Sequence, residues 1–185
     1  MNQVLLIIDA QQELLDGNFE RCAVFQKTQL ITTINLVIEK ARNTAVPVVF
    51  VRDLDVSEGK GSGFEIHREI NAPAAAEIFD KSATNAFFGT GLAEYLKLHQ
   101  IKHIVMMGCE TQHCIDSAVR TATVNGFDVT LVGDGHSTLG NDILSQEQII
   151  KHHNQILHGH YNVDHFSIVR NASEDLFCPT HDTYR

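Results

Sequence analysis

The 185-residue chain has no apolar stretch approaching the roughly 18 residues that a membrane-spanning helix needs, so no transmembrane helix is expected. Its first apolar run is short, lacks a basic flank and ends in an acid, which is not the pattern of a signal-peptide core. Basic residues are scarce, with 14 Lys and Arg against 23 Asp and Glu for a net charge of −9. No basic stripe interleaved with aromatics is present, so neither nucleic acid nor an anionic membrane is an expected partner. The four cysteines, Cys22, Cys109, Cys114 and Cys178, form no C-x-x-C pair and do not suggest a disulfide framework. A cytoplasmic, reducing setting is therefore expected, and it suits a free thiol. Repeats, low-complexity tracts and linker-like segments are also missing. With 43% hydrophobic residues to build a core, one domain over residues 1–185 is expected.

What is present is alternation. Strand-like apolar runs fall near 4–8, 46–51, 103–107, 128–132 and 166–169, with a short one before Lys81. Helical periodicity falls near 23–43, 90–99, 112–125 and 144–157. Strands alternating with helices predict an α/β fold, a Rossmann-like open parallel sheet of six strands with helices on both faces. Right-handed crossovers restrict the topology to a few options without choosing among them. Residues 53–72, DLDVSEGKGSGFEIHREINA, are rich in glycine and charge and have no periodicity. They read as a long loop of the kind that often borders a binding site.

Three places along this framework carry chemistry. In IVMMGCETQHCIDSAVRTA a strand pattern gives way to a helical one with Cys114 at the junction and Thr111 as a candidate N-cap. A thiol at a helix N-terminus is favoured as thiolate by the unpaired amides, although a small buried cysteine is the plainer reading of that position. Asp9 directly follows the run VLLII, at the carboxyl end of a strand where α/β sheets hold ligands; an acid there either starts a turn or serves as a general base. Lys81 lies among Ile78, Phe79, Phe87 and Phe88. It either lays its stem on apolar surface or is held, desolvated, against a carboxylate.

These segments together resemble the isochorismatase-like cysteine hydrolases, a family that includes nicotinamidases and carbamoylsarcosine amidase. LLIIDAQQELL is similar to the family's D-x-Q opening, FDKSATNAFFGTGL to its lysine segment, and GCETQHCIDSAVRTATVNGFDVTLVGD to its nucleophile segment. The resemblance implies strand order 3-2-1-4-5-6 and a catalytic triad of Asp9, Lys81 and Cys114. It also implies a non-proline cis peptide between Cys109 and Glu110, with an oxyanion hole made by the backbone N–H groups of Glu110 and Cys114. On that reading, Asp9 takes the Cys114 proton while Lys81 and the helix terminus hold the thiolate. The implied reaction is cleavage of a C–N bond in a small amide or ureido compound through a Cys114 thioester. Members that hydrolyse a vinyl ether lack the cysteine, so its presence favours attack on a carbonyl over isochorismatase-type chemistry. Leu14 stands where the family commonly has phenylalanine. Gln11, Phe87, Arg52, His67 and His136 are candidate pocket residues, although a solvated loop face is the plainer reading for Arg52 and His67 taken singly.

No metal or other cofactor is expected. The nicotinamidase branch holds a metal with a D-x-H-x5-H-like cluster after strand 2, whereas here Asp53 and Asp55 follow that strand and His67 is the only histidine before His99. His152, His153, His158 and His160 lie on the last helix and its exit, and adjacent helical histidines diverge. The resemblance implies a homo-oligomer, dimer or tetramer, and Ile149, Ile150, Ile156 and Leu157 among amides and histidines are compatible with a subunit contact. Two other classes remain open at this stage. One is a thiol redox sensor with Cys109 as resolving thiol, and the other is a catalytically silent binding module.

Overall fold

β1 (Gln3–Ile8) is buried at all six residues, as a strand covered on both faces must be. A computed structural model describes residues 2–179 and 181–185. It sets β1 at the centre of a parallel sheet with β2 (Val48–Asp53), β3 (Glu77–Lys81), β4 (His103–Cys109) and β5 (Asp128–Ser137). A two-residue strand, β6 (Tyr161–Asn162), runs antiparallel to β7 (His165–Arg170), which pairs parallel with β5. The order β3-β2-β1-β4-β5-β7-β6 contains the expected 3-2-1-4-5-6 series, with β7 as its sixth member. β6 is an addition at the edge, too short to give a periodic signal.

Registers fix which strand ends meet. Ile8 pairs with Val51 on one side and Gly108 on the other, so β1, β2 and β4 finish side by side. Gly108 is needed there. At φ 126 its backbone passes so close to β1 that a Cβ would lie 2.0 Å from the Ile8 carbonyl oxygen. β5 is longer than residues 128–132 because it bulges: Leu131 pairs with Met106 and pairing resumes only at His136 with Gly108. The intervening VGDG reads as a loop in sequence, yet the chain returns to the sheet beyond it.

Helices cover both faces. α2 (Lys27–Asn43) buries Leu30, Ile31, Ile34, Val37, Ile38 and Ala41, a helical stripe, against the face carrying Leu5, Ile7, Phe50 and Val105. α4 (Leu92–Leu98) and α5 (Asp116–Val124) bury Leu92, Leu96, Ala118, Val119 and Ala122 against Val4, Leu6, Ile8 and Ile104 on the other. Each fully buried Leu or Ile contributes about 1.5–3 kcal/mol, so cutting Ile34 back to Ala is expected to cost about 2–5 kcal/mol. α6 (Gln146–Leu157) opens with a capping box between Ser145 and Gln148. Two shorter helices, α1 (Gln12–Asp16) and α3 (Gly61–Phe64), lie near the carboxyl ends of the central strands. α3 and a turn at Val56–Gly59 give the long loop more structure than its sequence indicates. No described helix is long and apolar enough to cross a membrane.

Candidate active site

Four adjacent strand ends converge on one ammonium group. Lys81, the last residue of β3, is only 1% exposed, and its register partner is Asp53 at the end of β2. Its Nζ is hydrogen-bonded to the Asp53 carboxylate, 3.0 Å from Asp9 Oδ2 and 3.5 Å from Cys114 Sγ. Asp9 follows β1 in the left-handed region (φ 53), a conformation that aspartate tolerates better than most residues, and is fully buried. Neither of its oxygens has an aligned hydrogen-bond donor among the described residues, so the 3.0 Å contact with Lys81 is an ion pair. Asp9, Lys81 and Cys114 are thus brought together as the sequence motifs suggest. Asp53 is a fourth member that the sequence reading passed over, although it satisfies the rule that singled out Asp9, an acid at the end of a buried strand.

Cys114 reaches the site from one wide π-type turn, Thr111–Ile115, closed by the Ile115 N–H donating to the Glu110 carbonyl at 3.1 Å. Such turns recur at functional sites because they re-aim a side chain without ending the helix. Glu110, with extended backbone angles, holds the cap position in place of Thr111. The Thr111 hydroxyl is instead 2.9 Å from His136 Nδ1, whose Nε2 is 2.8 Å from Asn154 Oδ1. A cis peptide bond joins Cys109 to Glu110. Glu110 is the residue that follows β4. Its carboxylate pairs with Arg21 and accepts from Thr138 Oγ1 at 3.1 Å.

Burial raises the Asp9 carboxyl from 3.8 to about 6, with the Lys81 charge partly opposing it. Burial works against the Lys81 ammonium as well, but Asp9, Cys114 and Asp53 more than compensate and its pKa is raised. The Cys114 thiol is pushed up to about 12, first by burial and then by the Asp9 charge, and Lys81 offsets only part of this. The expectation of a resting thiolate is therefore corrected. A helix terminus and one ammonium do not outweigh desolvation beside a carboxylate, and the resting site pairs a thiol with a proton acceptor of moderate basicity.

A cavity of about 310 Å³ opens above this group, lined by Asp9, Asp53, Glu110 and Cys114 at its base and by residues of α1 and the long loop. Leu14 contributes to its wall, as do Asp55, Val56 and Ser57. None of the five candidate pocket residues is among the described residues lining it. Gln11 is buried and clamps the backbone of Asp53, accepting from its N–H at 2.7 Å and donating to its carbonyl at 3.0 Å. Phe87 stacks on Phe127 with ring centroids 6.4 Å apart. Arg52 is committed to Asp80 and Glu65 and lies over the Phe64 ring. His67 is buried with its Nε2 3.2 Å from Asp16 Oδ1. His136, between Thr111 and Asn154, faces a separate cavity of about 270 Å³.

The ligand atoms of Asp9, Asp53 and Cys114 lie within 4.8 Å of one another, a spacing suited to a metal ion. Lys81 Nζ contacts all three, so the cation that this donor set faces is an ammonium. The His152 and His153 rings stand at 85° to each other, and among the described residues the histidines of this segment form no convergent group.

A family model described as the isochorismatase domain matches residues 3–156. The chain belongs to the isochorismatase family. This family is hydrolytic, and the protein is an isochorismatase-family hydrolase. It is 29% identical over 145 residues to the isochorismatase family protein YrdC of Bacillus subtilis, covering 75% of each chain. To Nicotinamidase 3 of Arabidopsis thaliana it is 26% identical over 157 residues, again 75% of each. The solved structure of N-carbamoylsarcosine amidase from Thermoplasma acidophilum shares the fold of this isochorismatase-family hydrolase. The two match with a TM-score of 0.74 over 95% of this chain and 99% of that one, at 22% identity.

Proposed function

We propose that the protein is a single-domain cysteine hydrolase that cleaves the C–N bond of a small amide or ureido compound, with Cys114 as nucleophile, Asp9 as proton carrier and Lys81 as the fixed cation. The observation that carries this reading is the convergence of a buried thiol, an unsolvated carboxylate and an ammonium at the base of one cavity. The names of two relatives, a nicotinamidase and an N-carbamoylsarcosine amidase, support attack on an amide or ureido carbonyl.

Asp9 accepts the Cys114 proton as Sγ attacks the carbonyl carbon, so the thiolate need exist only as the C–S bond forms. The carbonyl oxygen becomes an oxyanion that accepts from the Glu110 and Cys114 backbone N–H groups, each donor typically worth about 10²–10³ in rate. Collapse breaks the C–N bond, and Asp9 passes its proton to the departing ammonia or amine. Asp9 then takes a proton from water as the oxygen attacks the thioester. The C–S bond breaks, and the thiol recovers its proton. Lys81 stays charged throughout and offsets the negative charge shared by Asp9 and Sγ, while Asp53 holds Lys81 in place. No metal or cofactor takes part in these steps.

A redox-sensing reading is disfavoured because Cys109 packs on the α2 face of the sheet and Cys114 on the α5 face. Burial also pushes the Cys109 thiol well up, which suppresses the thiolate a resolving cysteine needs. The experiment is turnover of a panel of small amides with mass spectrometry of the quenched enzyme. An acyl adduct on the Cys114 peptide is expected. Turnover of no amide by a folded protein would leave the silent binding module as the better reading.

A further inference from the structure

The cavity above Cys114 is unequal in charge. Asp9, Glu13, Asp53, Asp55 and Glu110 all line it, and Arg21 is the lone arginine or lysine among the described lining residues. That arginine is already paired with Glu110, and Lys81 beneath the floor is shared between Asp9 and Asp53. Glu13 accepts from Ser57 Oγ and from Asn18 Nδ2, neutral donors that keep it ionised. Glu13 and Asp55 have no cationic partner among the described residues. The fully buried Asp9 carboxylate, without an aligned donor, faces the same space. Leu14 and Val56 supply apolar wall between these acids. At about 30 Å³ per water, the volume corresponds to about ten waters, room for a small molecule with one charged group.

We infer that the compound this site takes is a cation, a small amide or ureido molecule whose carbonyl meets Cys114 while an ammonium or amidinium group lies against Glu13 and Asp55. This rests on the cysteine-hydrolase reading of the same site and narrows it. A carboxylate-bearing amide would set its charge among five acids, with the lone lining arginine already engaged. A neutral amide would leave the two outer carboxylates without a cationic partner.

Two arms test it. The first reads the charge of the cavity without requiring turnover: Cys114 is modified with 2-(trimethylammonium)ethyl methanethiosulfonate or its sulfonatoethyl counterpart. Rates are followed by peptide mass spectrometry and normalised to 2-mercaptoethanol. The cation should react about 10-fold faster than the anion at low salt. That ratio should fall several-fold in Glu13→Gln and in Asp55→Asn. A normalised ratio of one or below overturns the inference. The second arm compares 3-aminopropanamide, butanamide and succinamate, small linear amides that are cationic, neutral and anionic. The cation should have the highest kcat/KM, and its advantage over butanamide should shrink in Glu13→Gln. Succinamate turned over as well as the cation also overturns the inference. Loss of turnover on every amide, with the modification ratio intact, would instead overturn the hydrolase reading and keep the cation preference.

Discussion

Changing pH probes the Asp9 carboxyl in two independent ways. Its pKa of about 6, against 3.8 for an ordinary aspartate, corresponds to about 3 kcal/mol favouring the neutral form in the folded protein. If Asp9 must be ionised to take the Cys114 proton, kcat/KM should fall tenfold per pH unit below about 6. It should stay flat through pH 9, because the thiol titrates only near 12. Stability follows the opposite course. The folded state binds the extra proton between 3.8 and about 6, so Asp9 costs nothing below that window and its full penalty above it. The asparagine variant lacks this penalty. The unfolding free energy of Asp9→Asn minus that of the wild type should therefore grow by roughly 2–3 kcal/mol between pH 4 and pH 7.5. Urea titrations followed by circular dichroism measure the difference, and steady-state amide hydrolysis measures the acid limb. An acid limb near 4, or a stability difference that does not change with pH, would refute the assignment of the raised pKa to Asp9.

Cys114→Ala should abolish amide hydrolysis with the fold intact by circular dichroism, while Cys22→Ser and Cys178→Ser, both at exposed positions, should retain it. More than a tenth of wild-type activity in the alanine variant would exclude covalent catalysis. Lys81→Met leaves the buried Asp9 carboxylate facing the half-buried Asp53 carboxylate with no cation between them, and should cost about 3–5 kcal/mol in stability. It should also raise the pH at which Cys114 is alkylated by iodoacetamide, and an unshifted alkylation profile would remove Lys81 from its role. Dialysis against a strong chelator should leave turnover unchanged, and activity lost and then restored by zinc or iron would show that a metal takes part. Light scattering at micromolar concentrations should report a mass above one chain, and a monomer at every concentration would count against the homo-oligomer that the family implies.

The central strands were legible because they are continuous apolar runs, and Asp9 because it directly follows one, whereas Asp53, at the end of β2, was passed over. Asp9, Lys81 and Cys114 lie at changes of hydrophobic pattern, where a charged or nucleophilic residue stands out against its neighbours. The pocket was not legible because side-chain direction depends on tertiary partners. Gln11 and His67 have the chemistry of ligand-binding groups, yet they spend it on the Asp53 backbone and on Asp16. Arg52 is fixed by two acids and an aromatic ring. The protonation state of Cys114 was misjudged for a related reason. A helix terminus is visible in sequence, whereas desolvation beside Asp9 exists only once the strands have met. The β5 bulge was hidden because GDG looks like the end of a strand.

The four groups at the floor of the cavity come from β1, β2, β3 and the turn after β4, so residues 9 and 114 become neighbours only when the chain between them has completed its crossovers. Contacts this distant in sequence form late, after the loop-closure entropy of the intervening chain has been met. A partly folded chain with correct helices lacks the proposed catalytic cluster altogether. Recovery of activity on refolding therefore reports strand assembly across β3-β2-β1-β4, and it should lag behind recovery of helical circular dichroism wherever the two separate in time.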